Sequence, residues 1–582
     1  ELADGEQKLA DAEQDYRDGE DELAKLENPD VFILNRSSNV GYACFESDSD
    51  IVRGVSKVFP LFFFAVAALV CITTMTRMVD EQRTQAGVLK ALGYSNSAIL
   101  SQYFLYAGTA SLLGCVLGIA AGSYFLPKMI WHAYNIMYGF TGILYAFDWP
   151  LALVSSGAYL LCALGTTWYV VHAELQKPAA ELIRPRAPKA GKRILLERLP
   201  LLWNRLPFLH KVSIRNILRF KKRMVMMMIG IGGCTALLIT GFGIQDSISS
   251  VVDYQYDEIT RYDAAVTFQH ALSGSEREDF LAVCEESSAE GCLFVAEKSL
   301  DASKGSTVKT TNVVCPESGS VDGFIDLHTQ EKTPIPYPQD GGCIISRGLA
   351  QALRLSAGDT ITLQTGDMRR TELTVEAVFE NYVYNYVYLT QTTWQDVFGE
   401  APGYEAAWVN YQTDEDAQAA SAALTGAKNA AAVTLSLDFR SRVATMMQSL
   451  RYIVLVVVLG AAALAFIVLY NLTNINITER EREIATIKVL GFYDGETNRY
   501  VFRENIILTV LGALVGLPMG KLLHAYVMGQ IKIDLMCFDV RVAPLSYLIS
   551  AALTLVFGLL VNLALRRKIR AIDMSQALKS IE

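Results

Sequence analysis

The sequence predicts a polytopic α-helical membrane protein in which a three-helix unit is duplicated, with a linking span, an extracellular α/β domain and a coiled-coil arm. Three observations predict this fold class. The chain has 582 residues, 51% of them hydrophobic, and the apolar residues are concentrated in seven long runs. A charged motif occurs twice, each time directly after an apolar run. A long acidic stretch with mixed strand and helix patterns separates the two copies.

Seven apolar runs are candidates to span a bilayer, which needs ~20 mostly apolar residues. They cover residues 58–76, 91–127, 149–172, 224–245, 452–478, 505–520 and 542–565. Burial inside a large soluble enzyme is the alternative, and seven runs of this length disfavour it. The sixth run is the weakest, because Arg503 and Glu504 lie near its start. Such charges belong at the membrane surface or face the interior of the helix bundle.

Basic residues near the ends of the runs orient the chain in the membrane. Residues 174–223 hold 14 basic and 3 acidic residues, which marks a cytoplasmic segment. Residues 246–450 hold 30 acidic and 13 basic residues and so have no basic bias. Alternation across the membrane then places residues 246–449 and the N-terminal helix outside. Both copies of the charged motif face the cytoplasm.

The duplicated motif consists of VDEQRTQAGVLKALGYSNSAI (79–99) and ITEREREIATIKVLGFYDGET (477–497). A constant offset of 398 positions pairs Glu81 with Glu479, Lys90 with Lys488, Leu92 with Leu490 and Gly93 with Gly491. The same offset pairs Gly114, Gly118 and Gly122 with Gly512, Gly516 and Gly520. Glycines at every fourth position line one helix face and let another backbone approach closely. The matched triplets therefore predict helix packing at these six glycines in two copies of one unit.

These patterns divide the chain into eight segments. In order they are the extracellular coiled-coil arm (1–28), a linker to the membrane (29–54), the first three-span unit (55–173), a basic cytoplasmic linker (174–223), a single span (224–245), the extracellular α/β domain (246–449), the second three-span unit (450–566) and a cytoplasmic tail (567–582). Within the α/β domain, strands are expected at 263–269, 307–315, 360–365, 372–379, 384–389, 406–411 and 432–437, and helices at 346–355, 392–398 and 415–424.

The first 26 residues carry a heptad pattern. Leu2, Leu9, Tyr16 and Leu23 recur every seven positions, and Gly5, Ala12, Gly19 and Leu26 follow three positions later. Small residues in one line of this seam favour a coiled coil over a single solvated helix. Because Glu1 is not Met and lies inside this pattern, we expect the chain to continue upstream with a further span that begins the first half.

Several chemical motifs are missing from the sequence. There is no G-x-x-x-x-G-K-[ST] loop, no H-E-x-x-H and no G-x-S-x-G, so we expect no catalytic residue, no metal site and no cofactor in this chain. The spans hold almost no charged residues, which disfavours an ion-coupled carrier. Four cysteines of the outer stretch, Cys284, Cys292, Cys315 and Cys343, fit either disulfides, with Cys284–Cys292 the nearest pair, or free thiols in a reducing setting.

The residues of the repeat resemble a known family. The duplicated unit, the charged turn after its first span and the glycine-rich second span are similar to the FtsX-like permease family of ABC transporters. The stretch ISRGLAQALRLSAGDTITL (345–363) resembles the outer domain of the MacB-type members. NRSSNVGYACFESD and RPRAPKAGKRILLERLPLLWNRLPF are similar to a long subfamily with two permease units and an extracellular coiled coil. This resemblance implies a multi-pass protein of the cell membrane of a Gram-positive bacterium.

The resemblance also implies a mechanism, mechanotransmission. A permease subunit would dock a separate ATPase dimer, which binds ATP and Mg, on the cytoplasmic side. It would pass the ATPase motion to the extracellular domains and so export or extract a substrate. The docking contact is expected at Glu81, Arg83, Lys90, Gly93, Glu479, Arg482, Lys488 and Gly491. Gly93 and Gly491 are expected to end the motif helices. Because Gln85 and Gly87 stand where Glu483 and Ala485 stand in the second copy, we expect the halves to be unequal.

Two other functions fit the same residues. A regulatory membrane protein could use the same motion to activate an extracellular cell-wall hydrolase, and the coiled coil would suit such a protein partner. A permease for antimicrobial-peptide sensing or resistance is the other alternative. The basic segment KVSIRNILRFKKR (211–223) suits an amphipathic helix on anionic lipid. Its place between two spans argues against a nucleic-acid partner.

Overall fold

The computed structural model describes residues 40–139, 141–184, 221–365, 369–531 and 536–572, with isolated positions between 211 and 218. The predicted coiled-coil arm at residues 1–28 lies outside the described residues, as do most of the basic linker and the end of the tail. The membrane helices from Asp50 onward and the α/β domain belong to one compact unit, Asp50–Glu582.

The first half contributes three long helices and two short ones. They are α1 (Val40–Glu81), α2 (Arg83–Ala91), α3 (Asn96–Tyr138), α4 (Trp149–Leu175) and α5 (Ala179–Ile183). Side-chain caps start two of them: Ser95 accepts from the backbone N–H of Ala98, and Asp148 accepts from that of Leu151. After the basic linker comes α6 (Lys221–Asp253), which continues into a π-helical turn, Tyr254–Ile259.

A mixed nine-stranded sheet forms the centre of the α/β domain. Its strands are β1 (Ala264–Phe268), β2 (Gly291–Lys304), β3 (Thr307–Pro316), β4 (Gly342–Ser346), β5 (Thr360–Gln364), β6 (Arg370–Phe379), β7 (Tyr386–Tyr388), β8 (Ala406–Asn410) and β9 (Ala430–Leu435). They lie in the order β3-β7-β4-β6-β5-β2-β8-β1-β9. Four helices accompany the sheet: α7 (Gly274–Glu286), α8 (Arg347–Leu353), α9 (Gln391–Phe398) and α10 (Asp414–Thr425).

Seven of the strands overlap the segments in which the sequence predicts strands, whereas β2 and β4 do not. The five residues of β4 are all buried, and a short buried apolar segment has no alternating pattern to reveal it. The 14 residues of β2 begin apolar and end polar, because the strand leaves the core to form a hairpin with β3. Helix α7 also lacks an apolar periodicity; a capping box between Ser273 and Glu276 starts it.

The second half begins with a helix that joins the sheet to the cytoplasmic motif. The helices are α11 (Ser436–Glu479), α12 (Glu481–Val489), α13 (Asp494–Gln530) and α14 (Pro544–Arg570). Helix α11 starts at the residue after β9 and has 44 residues. At 1.5 Å per residue it is about 66 Å long. One continuous helix therefore leads from the sheet, through a span, to the second charged motif.

Among the described residues, seven helices are long and apolar enough to cross a membrane. They cover Val52–Glu81, Asn96–His132, Trp149–Leu175, Met224–Ile259, Val454–Glu479, Asp494–Gln530 and Pro544–Arg570, and each overlaps one of the predicted runs. In the sixth, Glu504 is 1% exposed and faces the interior of the bundle rather than the membrane surface.

Candidate functional site

The two charged motifs fold into matching helix–turn structures, which we call the coupling turns (residues 81–95 and 479–493). In the first, Gly93 has φ +90°, and the N–H groups of Gly93 and Tyr94 donate to the carbonyls of Lys90 and Leu89. In the second, Gly491 has φ +93°, and the corresponding bonds join it to Lys488 and Phe492 to Ile487. These are left-handed helix ends, where a residue with a Cβ is strained. The two glycines therefore terminate α2 and α12.

A lysine in each coupling turn binds the end of the third span of its own half. Lys90 Nζ donates to the carbonyl oxygens of Leu175 (2.5 Å) and Lys177 (2.8 Å), at the C-terminus of α4. Lys488 Nζ donates to those of Ile569 (3.0 Å) and Arg570 (3.1 Å), at the C-terminus of α14. A helix C-terminus carries partial negative charge and carbonyls without a helical partner. Each lysine therefore holds its coupling turn to a span within the same chain.

A buried arginine makes a second internal contact in each half. Arg83 is 9% exposed; its Nε lies 3.1 Å from Glu174 Oε1, and its Nη2 donates to the Glu181 carbonyl oxygen at 2.7 Å. In the second half the buried arginine is Arg480, which is 2% exposed and paired with the buried Glu504. These contacts anchor the coupling turns inside the chain and leave the Arg83 guanidinium little surface for a partner.

The remaining predicted docking side chains are exposed. Glu81 is half-exposed and lies 3.6 Å from Arg77 of its own helix. Glu479 and Arg482 are exposed at the corresponding end of the second coupling turn. Among the predicted arginines, Arg482 therefore differs from Arg83, because the buried position in the second half belongs to Arg480.

Each coupling turn also exposes apolar side chains that sequence reasoning did not select. Leu92 is 71% and Tyr94 56% exposed in the first; Leu490 is 72% and Phe492 47% exposed in the second. We call these four residues the apolar tips. A Leu-Gly-aromatic sequence present in both copies was the available signal, and only the structure shows that these side chains point outward. Matched exposed apolar patches mark interaction sites.

The first copy has Gly87 where the second copy has Ala485, and helix packing explains this difference. A Cβ placed on Gly87 would lie 2.9 Å from both Leu182 Cβ and Ile183 Cγ1. Helix α5 thus packs directly against the backbone of α2 at this glycine. At the matched position of the second copy, Ala485 is fully buried.

The two glycine triplets lie in different surroundings. Added Cβ atoms on Gly512, Gly516 and Gly520 would meet the Cβ atoms of Ile231, Thr235 and Ile239 of α6 at 2.7, 2.6 and 2.7 Å. Close packing of α13 on α6 therefore requires these three glycines. Added Cβ atoms on Gly114 and Gly118 would meet nothing within 4 Å in the described part of the chain, and one on Gly122 only Leu126 at 4.0 Å.

The second half contains a buried polar chain beside its coupling turn. Asn476 Nδ2 donates to Asn505 Oδ1 at 2.6 Å, and Asn505 Nδ2 donates to Asn562 Oδ1 at 3.2 Å, so that α11, α13 and α14 are joined. Separately, Arg480 joins α13 by donating to Tyr500 Oη at 2.9 Å. At the matched positions the first copy has Met78, Ala107 and Leu164. The halves share a fold and differ in how their spans are joined.

In the parts of the chain that the structure describes, no group of three His, Cys, Asp or Glu residues could hold a metal ion. Cys284 and Cys292 are free thiols in contact, and the hydrogen bond from Cys292 lowers the pKa of Cys284. The structure thus has this pair as adjacent thiols rather than as a disulfide.

Comparison with known families identifies three parts of the chain. Residues 57–173 and 455–574 both match the FtsX-like permease C-terminal family. Residues 224–427 match the MacB-like periplasmic core domain. Both three-span units therefore belong to the FtsX-like permease family. The chain is a multi-pass membrane protein and a permease component of an ABC transporter, which is not itself catalytic. No curated protein matches this permease.

Two solved structures are similar to part of this chain. One is the extracellular domain of the noncanonic ABC-type transporter YknZ from Gram-positive bacteria, with 17% identity over 29% of this chain and 98% of that chain, at a TM-score of 0.21. The other is the periplasmic region of MacB from Actinobacillus actinomycetemcomitans, with 10% identity over 32% of this chain and 94% of that chain, at a TM-score of 0.22.

Proposed function

We propose that this FtsX-like permease couples ATP hydrolysis by a separate ATPase to movement of its extracellular α/β domain, and so exports or extracts a substrate. The observation that carries this proposal is the continuity of helix α11 from the sheet to the second coupling turn. The helix begins at the sheet, at Ser436, and ends at Glu479, so that only Arg480 separates it from α12 of the second coupling turn. A displacement of that turn is transmitted along one helix to the domain.

Two further contacts join the membrane helices to the domain at Tyr382. The side-chain oxygen of Gln255, in the π-helical turn after α6, accepts from the Tyr382 N–H at 2.8 Å. The N–H of Cys537, in the loop after α13, donates to the Tyr382 carbonyl oxygen at 2.9 Å. Three spans thus reach the domain within a short distance of one another, and π-helical turns are frequent at functional sites. This arrangement supports movement of the domain as a response to movement of the spans.

The ATPase contact is assigned to the apolar tips together with the exposed charges at Glu81, Glu479 and Arg482. Lys90, Lys488 and Arg83 act differently in this proposal. Because they bind within the chain, they transmit force from each coupling turn to the third span. Gly93 and Gly491 direct the tips away from the helices. ATP and Mg stay on the partner ATPase.

The test is capture of the ATPase from native membranes with the full-length, affinity-tagged protein. We expect a Walker A protein to co-purify with the unmodified chain. Leu92→Asp together with Leu490→Asp should lose most of it, because a charge on each tip opposes an apolar contact. Glu81→Gln with Glu479→Gln should weaken capture less, since exposed ion pairs contribute ~0.2–1 kcal/mol each.

The control is Thr84→Asp, an exposed residue of α2 away from the tip, which should leave capture unchanged. Capture of no Walker A protein by the unmodified chain would contradict the function itself. Equal capture by the tip variant and the unmodified chain would contradict the assignment of the contact to the tips.

A further inference from the structure

A large cavity lies between the α/β domain and the outer end of α13. It is at the opposite end of the spans from the coupling turns. Its volume is about 830 Å³. The domain side is formed by the β2–β3 hairpin and α8, and the membrane side by the last turns of α13 and the loop at 536–540. It therefore lies where the outer surface of the membrane meets the domain.

Cationic side chains line the domain side of this cavity. They are Lys304, Lys309, Arg347 and Arg354, and the described lining contains no Asp or Glu. Lys304 Nζ lies 3.0 Å from Asp359, and Arg347 Nη1 lies 2.8 Å from Glu380, both of which are outside the lining. The pairs hold both cations in place at the wall of the cavity, whose lining also includes Lys309 and Arg354.

Arg354 occupies a position at which most residues are strained. It follows α8 with φ +54° and ψ +52°, in the left-handed region that glycine favours at helix ends. Its side chain is exposed at the cavity, and Lys304 Nζ donates to its carbonyl oxygen at 3.1 Å. Holding a non-glycine residue in this region costs of order 1–3 kcal/mol.

The membrane side of the cavity is apolar and continues a lipid-facing helix surface. Met528, Gly529 and Phe538 are among its lining residues. Along α13, Leu522 (73% exposed) and Tyr526 (54% exposed) precede Gly529 at helical spacing on the same face. The face that meets lipid therefore leads directly to the floor of the cavity at the outer end of the span.

We propose that this cavity binds a lipid with an anionic, phosphate-containing headgroup that enters from the outer leaflet. The acyl chains lie along the Leu522–Tyr526–Gly529 face, and the headgroup meets Lys309 and Arg354. Charge complementarity and the continuity of the apolar floor with the lipid-facing surface both favour this occupant over a soluble anion.

The part of this inference that concerns movement of the domain rests on the proposed function. The loop at 536–540 is fixed to the domain by the Cys537–Tyr382 bond, and Arg347 Nη1 of the domain lies 3.9 Å from Asp539 of the same loop. Movement of the domain relative to α13 changes the distance between the cationic wall and the apolar floor. The bound lipid is then either the extracted substrate or a lipid held at its entrance.

The test measures lipid binding to the purified full chain by native mass spectrometry, without any ATPase. The chain is titrated with phosphatidylglycerol or with phosphatidylcholine of the same acyl chains. We expect phosphatidylglycerol to bind at least about fivefold more tightly, as one to two cation contacts near a membrane surface provide. Arg354→Gly and Lys309→Gln should each weaken phosphatidylglycerol binding by roughly fivefold.

Arg354→Gly also separates a binding effect from a folding effect. Glycine relieves the left-handed strain, so the variant should unfold at an equal or higher temperature while it binds the lipid less well. The matched control is Lys332→Gly. Lys332 is also a cation in the left-handed region, with φ +61°, and it pairs with Glu258 away from the cavity. Lipid binding by this control should equal that of the unmodified chain.

A third variant fills the floor and keeps every charge. Gly529 lines the cavity and an added Cβ there meets nothing within 4 Å, so the chain has room for the side chain of Gly529→Trp at the cavity floor. The variant should abolish the preference for phosphatidylglycerol.

Equal loss of lipid binding in Lys332→Gly and Arg354→Gly, or displacement of the lipid by equimolar inorganic phosphate, would overturn the proposal. ATPase capture with no lipid preference overturns this inference alone, and lipid preference with no ATPase capture overturns the proposed function alone.

Discussion

Lys90 and Lys488 make the same contact in the two halves of the chain: each ammonium group binds two carbonyl oxygens at the C-terminus of the third span of its own half. The contact joins elements about 80 residues apart in sequence. A charged group that first suggests docking to another protein instead connects the coupling turn to the bundle. Each coupling turn is thus joined to two spans of its own half, the one before the turn and the third one.

Lys488→Met removes the charge and both hydrogen bonds and keeps the length of the side chain. We expect a loss of about 1–3 kcal/mol in the free energy of unfolding, because hydrogen bonds from a charged group to partly buried carbonyls are lost. Amide hydrogen exchange in Glu481–Val489 should become faster, since α12 is no longer held to α14. Thermal unfolding and exchange mass spectrometry of the purified chain measure both.

Lys428→Met is the control for this change, because Lys428 is exposed on the α/β domain. Its stability and its exchange in Glu481–Val489 should match those of the unmodified chain. Unchanged exchange in Lys488→Met would show that the two carbonyl contacts do not hold α12 in place.

The membrane part of the fold is predictable because a span has to be apolar over a fixed length. The matched Gly93 and Gly491 predict where the motif helices end, since glycine readily adopts the left-handed conformation that commonly ends a helix. Side-chain direction is harder to predict. The same charged motif contains Lys488, which binds within the chain, and Arg482, which is exposed, and nothing in the local pattern distinguishes them. That difference depends on where the end of α14 lies.

Parts of the α/β domain escape prediction for a related reason. Strand β4 is buried on all sides and so has no alternation, and β2 changes from core to hairpin along its length. The cavity at the outer end of α13 depends on the β2–β3 hairpin, α8 and a loop more than 170 residues later. Only the tertiary fold brings Arg354 and Gly529 together.

The second-half glycines should be far less tolerant of substitution than the first-half glycines. Gly516→Ala places a Cβ 2.6 Å from Thr235 Cβ and 2.7 Å from the Gly232 carbonyl oxygen, so α6 and α13 must separate. We expect destabilisation of about 1–3 kcal/mol, as for other overpacked sites. The matched control is Gly118→Ala, whose Cβ meets nothing within 4 Å. Equal destabilisation by both variants in thermal unfolding would contradict this difference between the halves.

Removing one partner of the buried Arg480–Glu504 pair should lower the free energy of unfolding strongly. Replacing both partners by apolar residues should lower it much less. Both side chains are at most 2% exposed, so Glu504→Ala leaves an arginine buried without its principal partner. The expected cost is about 3–5 kcal/mol. Replacing both residues by Met should recover most of that loss, because no buried charge remains. Denaturant or thermal unfolding of the single and double variants measures the coupling, and additive losses would contradict it.

The lowered pKa of Glu276 predicts how the stability of the α/β domain changes at acid pH. Hydrogen bonds from the backbone and hydroxyl of Ser273, with others from Asn429 and His270, lower the pKa of Glu276 to about 2 from its ordinary value of 4.5. The capping box that starts α7 therefore stabilises the domain fully above about pH 4.5, and this contribution falls as the pH approaches 2.

Glu276→Gln should flatten the dependence of unfolding on pH in that window. Glu278→Gln, an exposed carboxylate of the same helix, should keep it. Tryptophan fluorescence of Trp394 and Trp408, both in this domain, follows the transition, and identical pH profiles for Glu276→Gln and the unmodified chain would contradict the assigned role.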